Sequence, residues 1–524
     1  MTLMLTLGTA TFGAQKTLPS GKDTGSINVT NLKPGDTVTA YQFVKANYNE
    51  YGFTGYSAIN NYVKDPVAPT VQEVIDMASN AATMTVAAEK KVATGDTEVT
   101  LNGLPVGYYL VMVTSGSETV YSPMIAGIYY SKSATDNTLT NGAISADSDF
   151  EIKAQKCWAK SSTPKLEKTI VTPSSKNSKG DDIAIGDKTT FKLSATVPSY
   201  SKEYKKVTYK IYDIMSEGLD YVDGSMKCFI EKYENNRENI KVTPKVNGGI
   251  IEITFDSKFI LEHPGQKIQV EYQAKLNEKA GVNFDANINK AYLEYSNNPA
   301  SGSTAKTGED KVYVYTFGID SNLFGKSTEK WNEKTKELIK VEEGEYQWVE
   351  TEKESGIFTT TTALEGATFT LTNNKTKKSY TATSDKYGYL KFTGLDAGEY
   401  TLQETDAPDG FTLNDAKHTV VITAEYNQDG TLKSYTIKID DKATSTYTAT
   451  YDKGVIKTIT STKDSQGNIS ESAILKNSKM SFLPSTGGVG TTIFCNCRCC
   501  ICGSSVRSSY DFKRKKQAGT GQIV

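Results

Sequence analysis

Apolar and polar residues alternate with a period of two along most of this chain, the pattern of strands that bury one face. The segment 189–197 shows it cleanly, with Phe191, Leu193, Ala195 and Val197 on one side. Similar runs stand at 98–101, 108–113, 207–211, 249–255 and 267–274. They return at 367–371, 380–382, 389–392, 400–403 and 418–423, followed by a Thr/Tyr-rich hairpin from 431 to 460. Residues 71–91 depart from it: Val71, Val74, Ile75, Met77 and Ala78 have helical spacing, which predicts a helix packed on a sheet. Short strands between polar turns, such as the one at 32–36, predict an all-β chain of tandem immunoglobulin-like β-sandwiches, elongated in shape.

A length of 524 residues fits roughly three to four domains. The pattern divides the chain into blocks at 15–155, 156–305 and 311–480, with the polar stretch 301–310 as a linker. Residues 103–111 echo residues 394–402, each placing a glycine turn before an alternating strand, so the first and third blocks share one plan. The 31 tyrosines and many Thr and Val residues suit half-buried strands. A net charge of −2 with both signs interspersed gives no basic stripe for nucleic acid. The two histidines, His263 and His418, stand far apart and without ligand-spaced partners, so no metal, cofactor or imidazole catalysis is expected. A secreted hydrolase is likewise unsupported, since no GxSxG or HExxH motif occurs. Of seven cysteines only Cys157 and Cys228 lie in the body, too few for a disulfide framework.

The ends carry processing signals. Residues 1–14 are apolar, end in small residues and precede the first charge at Lys16, as in a signal peptide that lacks its basic start. Near the other end, Leu483, Pro484, Ser485, Thr486 and Gly487 resemble the LPxTG signal that sortase transpeptidases cut between Thr and Gly in Gram-positive surface proteins. An apolar span should follow. Val489 to Phe494 begins one, but a cluster from Cys495 to Cys502 interrupts it. Cysteine codons read one base later encode Val or Ala, so the tail within 483–524 is read as frameshifted.

Glu404 is the next signal. It shares a strand side with Tyr400 and Leu402, which aims a carboxylate into a core where an unpaired charge is costly. A buried carboxyl beside a buried lysine leaves both groups neutral. The amine can then attack a nearby asparagine amide and expel ammonia, with fixed geometry supplying the effective concentration. Residues 400–411 resemble the E-box of Gram-positive pilins, and 364–369 the LxGAxF strand of CnaB-type domains.

The chain therefore resembles a sortase-assembled fimbrial shaft pilin with isopeptide-forming domains. That resemblance implies Glu404 as the catalytic acid of the third domain and Asn477 as its acceptor. The lysine is Lys340 by strand pattern, with Lys326 as the alternative. The second domain resembles the CnaA-like D2 type, which implies a Lys168–Asn289 crosslink with Asp213 as the acid. In the first domain the repeat puts Val113 where Glu404 stands, so no crosslink is expected there. Shaft pilins present an accepting lysine ahead of the second domain; Lys160 holds that place, with Lys153, Lys156 and Lys165 as neighbours.

The resemblance implies a non-enzymatic subunit of a covalent surface pilus at the cell wall. Its partners would be class C and housekeeping sortases, further copies of itself, minor pilins and host surface ligands. The alternative is a wall-anchored adhesin that binds a host ligand and uses the same domains as a stalk.

Overall fold

The computed structural model describes residues 18–115, 118–131, 143–144, 150–171, 173–233, 236–319, 324–327, 337–342, 345–349, 360–362, 364–385, 390–440, 442–462 and 473–476. The signal-peptide reading at 1–14, the sorting signal at 483–487, Asn477 and the Cys-rich tail all lie outside them. The fold is all-β, with successive sandwiches, as the alternation predicts.

In the first unit the central strand Thr37–Asn49 pairs with Gly52–Ala58, Val86–Lys91 and Gly107–Thr114, and the sheet continues through Met124–Ser131 to Glu151–Ala154. A smaller sheet of Cys157–Trp158, Thr24–Thr30 and Glu98–Pro105 closes over it around Ile27, Val29, Tyr109 and Val111. The helix is shorter than its pattern predicts, spanning Val71–Ser79 alone. A capping box opens it: the Thr70 hydroxyl accepts from Glu73 N, and Glu73 Oε2 accepts from Thr70 N. Past Asn80 come Thr83, Thr85 and Val86, β-branched residues that disfavour the helix. The segment Val86–Lys91 becomes a strand instead.

The internal repeat has a physical counterpart. Gly103 and Gly394 both take positive φ, 70° and 78°, which only glycine adopts without strain. Tyr109 and Tyr400 then each donate from the hydroxyl to a carbonyl four residues upstream, at Pro105 and Asp396.

The second unit stacks two sheets. One runs Leu166–Val171, Lys188–Thr196, Lys267–Leu276, Lys227–Tyr233 and Asn236–Ile240. The other runs Gly180–Asp182, Asp310–Tyr315, Asn287–Asn298, Tyr209–Met215, Ile250–Thr254 and Lys245–Asn247. Their shared core includes Phe191, Leu193, Ile211, Ile253, Tyr272 and Leu293. Here the linker reading of 301–310 is corrected. Ser303–Lys306 is an edge strand on Asn287–Asn298, polar because both its faces are largely exposed. Asp310–Tyr315 pairs with the same strand; Val312 and Val314 face the second core while Tyr313 and Tyr315 face the third. One strand thus serves two cores.

The third unit is built on a seven-stranded sheet ordered Ser379–Thr383, Thr368–Asn373, Gly398–Asp406, Lys417–Tyr426, Leu432–Ile439, Lys442–Asp452 and Val455–Thr462. Its junction with the second unit is tight. A Cβ on Gly180 would come within 2.2 Å of the Gly430 carbonyl oxygen, so the two backbones approach where only glycine fits. Asp182, 5 % exposed, accepts from Tyr426 Oη at 2.7 Å and from Ala397 N across this junction.

Burial first, and the charges of Asp181 and Asp396 after it, push the Asp182 carboxyl up from 3.8 to about 6. The folded state therefore holds this proton to higher pH than the unfolded state does. The contribution is fully present below pH 3.8 and is lost as pH rises through about 6. It amounts to about 3 kcal/mol. Asp182→Asn is expected to flatten that part of the pH dependence of calorimetric melting; an unchanged profile would contradict the assignment.

Candidate functional site

Four fully buried polar side chains converge in the second core. Lys168 stands between Leu166 and Ile170 on Leu166–Val171, which places it on the inward side of its strand. Tyr272 comes from the same sheet, on Lys267–Leu276, inward with Val270 and Ala274. From the facing sheet come Asp213 and Asn289, on the adjacent paired strands Tyr209–Met215 and Asn287–Asn298. Lys168, Asp213, Tyr272 and Asn289 are each 0 % exposed.

Their contacts form one connected set. Lys168 Nζ donates to Asp213 Oδ2 and, at 3.2 Å, to Tyr272 Oη. Tyr272 Oη donates to Asp213 Oδ1 at 2.7 Å and accepts from Asn289 Nδ2 at 2.7 Å. The rings of Phe191 and Tyr272 flank the amine, with centroids 5.1 Å and 5.4 Å from Nζ. Asn289 Oδ1 is buried and makes no hydrogen bond among the described residues.

Burial lowers the pKa of the Lys168 amine and raises that of the Asp213 carboxyl, against the attraction between their charges. Both shifts favour the neutral pair, an amine with a free lone pair beside a protonated acid. The Tyr272 phenol is held well above its ordinary value by burial and by Asp213. Such a cluster brings nucleophile, acid and amide within reach of one another in a site closed to bulk water.

The structure thus joins Lys168, Asp213 and Asn289, the three residues singled out from the sequence, and adds Tyr272. The missing signal was weak. Tyr272 alternates with Ile268, Val270 and Ala274, and in a chain with 31 tyrosines an inward tyrosine marks a core before it marks chemistry.

In the third unit Glu404 is 2 % exposed, as alternation predicts, and its Oε2 accepts from Asn414 N at 2.8 Å. The strand Phe324–Ser327 pairs in parallel with Ala473–Lys476, setting Lys326 opposite Leu475, two residues before Asn477. Lys340 stands elsewhere, on Glu337–Glu342, opposite Tyr346 in a separate three-stranded sheet. Val113, at the position equivalent to Glu404, is half-buried in the first unit.

Lys160 is exposed between two short strands, Cys157–Trp158 and Ser161–Ser162. Its carbonyl accepts from Ser122 N at 3.0 Å, and the neighbouring Ala159 carbonyl accepts from Asn31 Nδ2 at 2.7 Å. Lys156 and Lys165 are also exposed, whereas Lys153 is 2 % exposed. Cys157 and Cys228 are both buried free thiols. Among the described residues, no helix is long and apolar enough to cross a membrane.

Comparison with known proteins gives matches of three kinds. A model for the T6 antigen Ig-like domain matches residues 22–161, and a model for the SpaA prealbumin-like fold domain matches residues 347–436. The Trypsin-resistant surface T6 protein of Streptococcus pyogenes serotype M6 is 26 % identical over 527 residues, covering 91 % of this chain and 92 % of that protein. The solved T6 backbone pilin of serotype M6 S. pyogenes, described as a modular three-domain structure, superposes with a TM-score of 0.59 at 20 % identity, over 88 % of this chain and 100 % of that one. The major pilin SpaD of Corynebacterium diphtheriae gives a TM-score of 0.48 at 16 % identity, over 89 % and 100 % of the two chains. Along nearly its whole length, then, the chain is similar to a streptococcal T6 surface protein, and it has the multi-domain all-β fold of that backbone pilin.

Proposed function

We propose that the chain is a structural subunit of a covalently assembled surface pilus, exported to the cell surface and joined head to tail to further copies of itself. The observation that carries this reading is its whole-length similarity to the T6 protein, whose solved structure is that of a backbone pilin. The same similarity favours a shaft subunit over a wall-anchored adhesin. A sortase cuts after Thr486 and transfers that carbonyl to Lys160 of the next copy. The two contacting surfaces differ, so each addition leaves a new free end and a fibre grows.

Within the second domain, the neutral Lys168 amine attacks the Asn289 amide with Asp213 as the acid, and ammonia leaves. The buried convergence of these groups supports the step. In the third domain the reaction joins Lys326 to Asn477 with Glu404 as the acid. Lys326 replaces Lys340 in this reading because its strand runs beside the strand that leads into Asn477. The first domain lacks the acid at Val113 and stays uncrosslinked.

The test is the intact mass of the purified chain, followed by peptide mapping. A deficit of two ammonias is expected, with one linked peptide pair containing Lys168 and Asn289 and another containing Lys326 and Asn477. A linked Lys340 would reassign the third domain. An unmodified mass would overturn the crosslinking reading.

A further inference from the structure

We propose that Tyr272 is a further catalytic residue of this self-crosslinking reaction, carrying to the departing Asn289 nitrogen the proton it needs to leave. The inference rests on the roles proposed above for Lys168, Asp213 and Asn289.

An amide nitrogen is a poor leaving group until it is protonated, and an attacking amine must shed a proton as its new bond forms. The two transfers occur at different atoms. Here the two oxygens of one carboxyl divide them. Asp213 Oδ2 faces Lys168 Nζ, while Oδ1 faces Tyr272 Oη, 2.7 Å away. The same Tyr272 oxygen lies 2.7 Å from Asn289 Nδ2. Asp213 itself makes no hydrogen bond to Asn289 among the described residues, so the phenol bridges acid and leaving group.

The step balances. At rest Tyr272 donates to Asp213 Oδ1; the step starts from the alternative arrangement in which Asp213, protonated on Oδ1, donates to Tyr272 Oη and the Tyr272 hydrogen has turned toward Nδ2. The Nζ–Cγ bond forms as Nζ passes a proton to Oδ2. Oδ1 gives its proton to the Tyr272 oxygen, and Tyr272 gives its own to Nδ2. The Cγ–Nδ2 bond breaks and ammonia departs. Asp213 and Tyr272 each end with one proton, as they began, that of Asp213 now on Oδ2, and no metal, oxidant or water is consumed.

A purely structural role would not require these contacts. Tyr209 lies in the same core, and its buried hydroxyl makes no hydrogen bond among the described residues. Tyr272 touches all three reacting groups. Burial also leaves no bulk water to deliver the proton in its place.

The experiment follows ammonia loss at Asn289 by mass spectrometry after pulsed cell-free synthesis of the full chain, comparing wild type with Tyr272→Phe. The variant keeps the ring and removes the relay. With a native near-ultraviolet circular dichroism spectrum, it is expected to crosslink about 100-fold more slowly, in the range that general acid–base catalysis contributes. An equal rate overturns the proposal. Should Tyr272→Phe fail to fold, 3-fluorotyrosine placed at position 272 keeps the hydroxyl and makes the phenol more acidic. A changed rate then supports the relay, and an unchanged rate overturns it. A wild-type chain that never loses ammonia at Asn289 overturns the crosslinking reading itself, an outcome distinct from equal rates in the two proteins.

Discussion

Asp213→Ala is expected to abolish the ammonia loss at Asn289 and to lower the melting temperature of the second domain by roughly 15–40 °C. Two separate effects add to this. The first is covalent: a Lys168–Asn289 link closes a loop of about 120 residues, and the chain-entropy argument assigns such a loop about 5 kcal/mol. The second is local. Asp213 is the acid that faces the wholly buried Lys168 amine, and removing one partner of a buried pair costs about 3–5 kcal/mol. Either effect is a large fraction of the stability of an ordinary domain.

Lys168→Met separates the two effects, because it removes the link without stranding an amine. It is therefore expected to lie between wild type and Asp213→Ala in melting temperature. Limited trypsin digestion provides a second measurement, since cleavage tracks the population of opened states. A full ammonia deficit in Asp213→Ala would remove Asp213 from the chemistry and leave it a structural partner of Lys168.

What could be seen in the sequence follows from how far each signal reaches. Alternation is local, so the inward faces of 189–197 and of the Glu404 strand were visible, and the structure buries Phe191, Leu193 and Glu404 accordingly. Lys168 is singled out by the resemblance to D2-type domains alone, although its place between Leu166 and Ile170 already puts it on an inward face. The overlong helix came from extending a good start past its end. Val71–Ser79 has the spacing and the cap, but the pairing of Val86–Lys91 with Thr37–Asn49 crosses about 50 residues. The polar edge strand Ser303–Lys306 reads as a linker in the sequence because a strand largely exposed on both faces has little apolar side to show.

Non-local pairing also separates Lys326 from Lys340. Both stand in strand-like runs, and only the register of Phe324–Ser327 against Ala473–Lys476 distinguishes them. Tyr272 illustrates the same limit at a site. Its inward direction was encoded locally, but its contacts with Asp213 and Asn289 exist only when two sheets meet.

Lys160→Arg is expected to stop polymer growth in cells that supply the assembling sortase, so that the ladder of covalent multimers collapses to single subunits. Arginine keeps the charge and most of the length but is never a neutral amine nucleophile at working pH. The placement of this lysine supports the proposal. A sortase-bound Thr486 acyl group needs an amine that reaches solvent on a fixed backbone. Lys160 is exposed, and the hydrogen bonds of its own and the preceding carbonyl hold its backbone at the end of the first domain. Lys153 and Lys168 are buried and cannot meet an enzyme without unfolding. Lys156 and Lys165 are exposed neighbours and serve as controls: their arginine variants are expected to polymerise as wild type does. The single subunits from Lys160→Arg should retain the Lys168–Asn289 crosslink, because that reaction takes place inside one domain. A normal ladder in Lys160→Arg would assign the accepting amine to another lysine, and a wild-type protein that forms no ladder would return the chain to the adhesin reading.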